Sequence, residues 1–368
     1  MKIMTNKDYC MRAISIDGSV KLWVARTTDL CETARKNHDC WSVAAAALGR
    51  LLTSAAFFGQ NLKGDDTVTL RIDGDGPLKT LVAVANAKGE LRGYVANPQV
   101  DIARKAVGKL DVGAAVGNGS LSVIKDMGFG DPYVGTVPLA TGEIGDDISK
   151  YFVDSEQIPT ATGVGVKIAS DGFVEAAGGF LLQLLPNADG KTVSQLELNI
   201  ANLVPVSQMV ADGWTAEEIA NDIMLGVPYK VLETNDLIYK CNCSHEKISA
   251  AIMSLGYKEV KALIEEQGEA EVVCRFCGKK HHFSKEELEK ILKELDVERM
   301  KKFRENLVNQ LKMQDKAVEE YLKKHSRKHN HGENCGCGCH DHEHEHEHEH
   351  HHHSHSGDCG CGEHKEEQ

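Results

Sequence analysis

The sequence predicts an α+β protein: a β-rich N-terminal domain with packed helices, a helical linker, a small four-cysteine domain, a charged helix and a disordered tail. Three observations predict it. Short β-type runs punctuated by Gly-containing turns fill the chain to about Pro186, helical spacing replaces them afterwards, and two close cysteine pairs precede a low-complexity end.

Residues 1–186 read as the α+β core. Thr67-Val68-Thr69-Leu70-Arg71-Ile72 alternates and stops at Asp73-Gly74. Residues 81–85 join 91–95 through a turn containing Lys88-Gly89, and 163–169 join 173–177 around Asp171-Gly172, so both read as antiparallel hairpins. An Ala-rich helix is expected over 43–57. The surrounding stretch 41–58 is the most apolar in the chain, but Arg50 and several Ser and Thr residues interrupt it, so it reads as a buried helix rather than a membrane span. Helices packed on antiparallel sheets give the α+β class.

Residues 187–236 form the expected metastable linker. Leu196, Ile200 and Leu203, then Met209 and Val210, fall at helical spacing. Another helix opens at Thr215, which with Glu218 makes a capping box ahead of Ile219 and Ile223. Gly190, Pro205, Gly213, Gly226 and Pro228 cut the segment into pieces shorter than the roughly 12–15 residues an isolated helix needs, so these helices must lean on a neighbour. Residues 237–293 hold the cysteine pairs and end in a helix capped by Ser284 with Glu287. Met300, Phe303, Leu307 and Leu311 mark a charged amphipathic helix over 294–324. Residues 325–368, with fourteen His and five Cys among Gly, Glu and Asp, have nothing from which to build a core.

The 368 residues, 41% of them apolar, allow two folded units plus extensions. Of the net charge of −13, residues 325–368 carry −7, with three basic against ten acidic side chains. No basic excess is left to neutralise phosphates, which disfavours a nucleic-acid partner. Nor is a membrane partner expected. The segment Met1-Lys2-Ile3-Met4-Thr5-Asn6-Lys7-Asp8 lacks the apolar core of an export signal, so the protein is expected in the cytoplasm with reduced thiols. Twelve cysteines there point to metal binding or redox sensing rather than a disulfide scaffold.

Cys241-Asn242-Cys243 and Cys274-Arg275-Phe276-Cys277 are two ligand pairs thirty residues apart. Four thiolates suit a closed structural zinc site with no open position for water or substrate. Neighbouring His245, His281 and His282 read as ordinary surface residues. The one-residue gap in the first pair is unlike a zinc ribbon and brings two sulfurs close enough for a small, strained disulfide ring. Structural zinc contributes about 10–16 kcal/mol of apparent folding free energy in small peptides, against total stabilities of about 5–15 kcal/mol, so losing the metal should unfold this unit.

The run Cys241-Asn242-Cys243-Ser244-His245-Glu246-Lys247-Ile248 with Val273-Cys274-Arg275-Phe276-Cys277 resembles the signature of the 33 kDa chaperonin family of redox-regulated holdases. Leu91-Arg92-Gly93-Tyr94, Gly117-Asn118-Gly119-Ser120-Leu121, Tyr151-Phe152-Val153-Asp154-Ser155-Glu156-Gln157 and Ala177-Gly178-Gly179-Phe180-Leu181-Leu182-Gln183 resemble it too, over roughly residues 10–295. The resemblance implies a reduced, inactive form holding one Zn2+ on Cys241, Cys243, Cys274 and Cys277. It further implies that oxidation forms Cys241–Cys243 and Cys274–Cys277 disulfides, expels the metal and frees the linker. The active form would be a homodimer that holds unfolding client proteins without ATP, and the chain has no GxxxxGK[ST] phosphate loop. It would not be an enzyme.

Two departures stand out: His281-His282-Phe283 after the second pair, and everything beyond about residue 295. In the tail, Cys335, Cys337 and Cys339, then His342, His344, His346, His348 and His350 alternating with Glu, then Cys359 and Cys361, form an auxiliary metal-binding segment for zinc, nickel or copper. Its formal HExxH match lacks the packed helix a metalloprotease needs. Cys10, Cys31 and Cys40, in or near the first helical region, read as small buried hydrophobes, and His38 beside Asp39 and Cys40 is a poor nucleophile pair. The main alternative is a zinc- or nickel-handling protein with the tail as metal store. A thiol oxidoreductase using Cys274 and Cys277 is disfavoured, because that pair lies between Glu271-Val272-Val273 and Gly278 rather than opening a helix.

Overall fold

The computed structural model describes residues 7–105 and 109–326, in two compact units divided after Val297. Strands β1 (Tyr9–Ser15) and β2 (Val20–Arg26) form a hairpin, followed by helices α1 (Thr28–His38) and α2 (Ser42–Gly59). Strands β3 (Thr67–Gly74), β4 (Thr80–Asn86) and β5 (Glu90–Val95) are a meander. The short α3 (Val112–Val116) leads to β6 (Gly119–Asp126) and β7 (Tyr133–Pro138), and α4 (Gly145–Asp154) leads to β8 (Thr160–Ile168) and β9 (Val174–Leu184). Helices α5 (Gly190–Ala201), α6 (Val206–Ala211) and α7 (Ala216–Ile223) follow, then strands β10 (Tyr229–Asp236) and β11 (Ile238–Tyr239). The cysteine module consists of α8 (His245–Ser254), α9 (Tyr257–Glu266), β12 (Ala270–Val273), β13 (Lys280–Phe283) and the start of α10 (Lys285–Ser326).

A five-stranded antiparallel sheet runs β10-β1-β2-β9-β8, and a six-stranded sheet runs β11-β5-β4-β3-β6-β7 with the β11–β5 pair parallel. Helix α2 packs against strands of both sheets. All its residues but Ser42 and Arg50 are buried, and the Arg50 guanidinium is met by Glu143 Oε2 at 2.5 Å. It is the one described helix long and apolar enough to cross a membrane, and it is a core helix.

The five-stranded sheet is buried on both faces, as strand alternation requires. On β2, Trp23 and Ala25 join the core around α2, while Val20, Leu22 and Val24 join a second cluster with Met11, Phe180 and Leu182. That outer cluster is closed by Leu196 of α5, Met209 and Val210 of α6, and Ile219 and Ile223 of α7. The expected capping box is present: Thr215 Oγ1 accepts the Glu218 N–H at 3.2 Å, and Glu218 Oε2 accepts the Thr215 N–H at 2.8 Å.

One stretch differs from the helical reading of 187–236. Residues 229–236 are a strand, β10, paired antiparallel with β1 from Tyr9↔Asp236 to Ser15↔Tyr229. Tyr229, Val231 and Thr234 suit a strand, and the edge of β1 offers unpaired backbone groups that a helix would leave open. The last helix runs without a break from Lys285 to Ser326, and Met300, Phe303 and Leu307 on it are exposed. The tail from 327 onward, with its expected disorder and metal ligands, lies outside the described residues.

Candidate metal centre

Both cysteine pairs are held by local backbone geometry. Cys241 and Cys243 lie on the extended stretch between β11 and α8, and Ser244 ends it by capping α8, its Oγ accepting the Lys247 N–H at 3.3 Å. Cys274 and Cys277 sit in the turn of the β12–β13 hairpin. There Cys274 N–H donates to Lys279 O and Gly278 N–H donates to Cys274 O, both at 2.9 Å.

The four sulfurs converge within 4.8 Å of one another, with Cys241–Cys274 at 3.7 Å and Cys243–Cys277 at 3.5 Å. A tetrahedron with metal–sulfur bonds of about 2.3 Å has edges of about 3.8 Å, so the donor set fits a four-thiolate metal ion. Burial pushes the Cys241 thiol up to about 12, and Cys243 is raised for the same reason. Burial also opposes ionisation of Cys274, but the N–H groups of Phe276 and Cys277 and the adjoining sulfurs outweigh it and hold that thiol below its ordinary value. A divalent cation would relieve the repulsion among the remaining thiolates.

The histidines divide. His282 is exposed and meets Glu269 at 3.1 Å, and His245 stacks on Phe283 with ring centroids 4.2 Å apart while meeting Glu287 at 3.1 Å. His281, expected at the surface, is buried, because β13 alternates and turns His281 and Phe283 inward.

Cys10, Cys31 and Cys40 are buried too, with Cys31 and Cys40 pushed up to about 12 by burial. Cys10 lies on β1 rather than near a helix. His38 makes no nucleophile pair, since its Nε2 is 2.8 Å from Gly93 O.

Sequence reasoning missed how the module seats on the larger domain. Strand β11 pairs with β5 for two residues only, Ile238 with Glu90 and Tyr239 with Leu91. Beyond it, the open carbonyl of Gly93 is taken by the Tyr239 hydroxyl at 2.9 Å and by His38. Gly93 is needed here, because a Cβ would lie 2.6 Å from Val82 O and about as close to α2 side chains as packing allows. The Tyr239 hydroxyl also contacts Phe276 O, and burial raises its pKa to about 12, so it remains a donor. The Phe276 ring meets Tyr94 edge-on at 5.3 Å, and the Arg92 guanidinium lies 5.2 Å from the ring centroid. The available signal was an aromatic residue between two ligands, where a spacer exposed to water is ordinarily polar.

Proteins similar to this chain are chaperones. The 33 kDa chaperonin of Geobacillus sp. (strain WCH70) is 47% identical over 285 residues, 77% of this chain and 97% of that protein. That of Bacillus subtilis (strain 168) is 46% identical over 283 residues, with the same shares covered. The crystal structure of the 33 kDa chaperonin, or heat shock protein 33 homologue, from Thermotoga maritima matches with a TM-score of 0.73 at 37% identity, covering 78% of this chain and 98% of that one. The family profile described as Hsp33 protein matches residues 8–284, and the chain belongs to the Hsp33 family.

Proposed function

We propose that this chaperone is an ATP-independent holdase switched by its own thiols: inactive while Cys241, Cys243, Cys274 and Cys277 hold one zinc ion, active once they are oxidised. The observation that carries the reading is the apolar outer face of the five-stranded sheet, with Met11, Leu22, Val24, Phe180 and Leu182 covered by three short helices. Those helices lead through β10 and β11 into the cysteine module. Thiolate ligation would supply the module's missing stability.

Oxidation by peroxide converts each cysteine pair to a disulfide. Two thiolates give up two electrons, and one peroxide takes them with two protons and leaves as two waters. The ligand set is then gone, the module loosens, α5–α7 lift, and the uncovered sheet face and helix faces hold unfolding clients. We assign the linker to residues 187–236 and the switch to 237–293, place the protein in the cytoplasm, where its thiols are ordinarily reduced, and assign the oxidised, active form as a homodimer.

The test measures zinc release, aggregation of a heat-unfolding enzyme and sedimentation before and after peroxide with mild heat. Release of one zinc with suppression only after oxidation is expected, and suppression that is equal before oxidation and independent of zinc overturns the reading. The tail carries a separate proposal from its fourteen His and five Cys: a store for zinc, nickel or copper. Truncation to 1–324 should lower bound metal per chain and leave holdase activity intact, whereas unchanged metal content removes the store.

A further inference from the structure

We propose that Phe276 and Tyr239 form a latch through which the state of the four sulfurs is passed to the linker, with Arg92 and Tyr94 as its receiver on the larger domain. The inference rests on the thiol-switch reading above and names the contact through which that switch acts.

Phe276 stands between Cys274 and Cys277, so its backbone is fixed whenever both sulfurs are fixed. It points its ring away from the centre onto Tyr94 and Arg92, and its carbonyl shares the single Tyr239 hydroxyl proton with Gly93 O. Edge-on aromatic contacts need ring centroids within about 4.5–7 Å and cation–π contacts a cation within about 6 Å of the ring, so both depend on where the ring is held. Tyr239 in turn ends a two-residue strand, far too short to stay paired unaided. Immediately before it, Leu237 is buried in the core around α2, and its N–H donates to Asp8 O at 3.0 Å. Strand β10, the last element of the linker, ends at Asp236. A span of five residues, 237–241, therefore joins a buried core side chain to a sulfur of the centre, and the latch adds its side-chain contacts to the backbone hydrogen bonds and the Lys240–Glu90 pair that tie the span to β5.

When the sulfurs pair within each half-site, the turn carrying Phe276 is reshaped. The ring and carbonyl then leave their partners. Strand β11 is left on β5 with its few backbone hydrogen bonds, among them those from Ile238 N–H to Gly89 O and from Lys240 N–H to Leu91 O, and an exposed Lys240–Glu90 pair, too little to keep so short a strand seated. Leu237 and β10 are next in line. Phe276 and Tyr239 thus act as positioning residues, contributing no ligand.

The experiment uses full-length, reduced, zinc-loaded protein in three forms: Phe276→Ala, the double variant Arg92→Ala with Tyr94→Ala, and Phe276→Tyr as the conservative control. The double variant lies outside the cysteine module, so it tests the latch even where Phe276→Ala fails to fold. Zinc per chain, hydrogen exchange over 187–240 and suppression of aggregation of a heat-unfolding enzyme are measured together. The latch predicts full zinc, exchange over 187–240 faster by about tenfold, and suppression without oxidant in the first two, with Phe276→Tyr matching the unaltered protein. Full zinc with unaltered exchange and no suppression overturns it. So does zinc loss in step with faster exchange in the double variant, which marks the contact as merely structural. The unaltered protein, run alongside with peroxide, separates the two ideas: if it switches while the variants behave like it, the latch alone fails, and if it neither releases zinc nor gains activity, the thiol-switch reading fails and takes the latch with it.

Discussion

The core around α2 and the core of the cysteine module differ in what holds them. Around α2, buried Leu, Ala, Phe and Val from both sheets enclose a helix with one charged residue, Arg50, already paired. In the module the buried apolar cluster is Ile252, Val260, Ala270, Phe283, Leu288 and Ile291, and His281 is buried with its Nε2 lacking a protein partner. A cluster of six side chains gives little reserve against the entropy of ordering α8, α9, the start of α10 and a hairpin. Burial therefore sustains one region and ligation is asked to sustain the other. On the proposed thiol switch, oxidants would reach the less buried sulfurs of the module and spare the domain behind it, whose Cys10, Cys31 and Cys40 are buried.

The sharpest way to break this contrast is Cys274→Ser. Losing one of four thiolates should remove most of the metal's contribution, on the order of 10 kcal/mol, and unfold the module. Hydrogen exchange over 241–291 should approach unfolded rates while β3, β4 and β6 stay protected, and retained zinc with native protection there would reject the ligand assignment.

Leu52→Ala in α2 should act the opposite way. A cavity at this fully buried site should lower global stability by about 3 kcal/mol, read by urea unfolding, with zinc content unchanged. Loss of zinc in that variant would show that the two cores are not separable.

Asp8 sharpens the contrast through pH. It is buried beside the start of α1, its Oδ2 accepting the Leu30 N–H at 2.6 Å, and burial raises its pKa from 3.8 to about 7. The folded value lies above the unfolded one, so this contribution is full below pH 4 and is lost as pH rises to 7. Asp8→Asn should cancel that decline, a difference on the order of 2 kcal/mol between pH 4 and 7 in paired urea titrations. Parallel pH curves for the two proteins would exclude it.

The smallest effect belongs to the helical cover. Thr215→Ala removes the α7 cap and should cost about 1 kcal/mol, felt as faster exchange within 206–223 and an earlier onset of aggregation suppression on heating. An unchanged onset would mean that α7 does not limit uncovering.

Much of this was readable beforehand because the signals were local. The spacing of Cys241, Cys243, Cys274 and Cys277 brought out the centre, and Thr215 with Glu218 marked its helix start to the residue. Strand β10 was missed because its deciding reason is remote: Tyr229, Val231 and Thr234 suit a strand, but the β1 edge that takes them lies some two hundred residues upstream. The contacts of Phe276 were missed for the same reason, since its partners, Arg92 and Tyr94, are likewise distant. His281 was within reach, since the alternation Lys280, His281, His282, Phe283 pairs it with an inward Phe.

The order β10-β1-β2-β9-β8 gives the segment over the outer sheet face an anchor at each end. It leaves from Leu184 on β9 and returns at Tyr229 on β10, with β1 and β2 between, a gap of about 15 Å. A strap tied on both sides can lift without drifting off, and its search for the surface it left is confined to a volume set by its own contour. For as long as β10 stays paired, re-covering of the sheet is a first-order event whose rate is independent of protein concentration. On the proposed holdase reading, a client seated there would compete with a neighbour that never leaves.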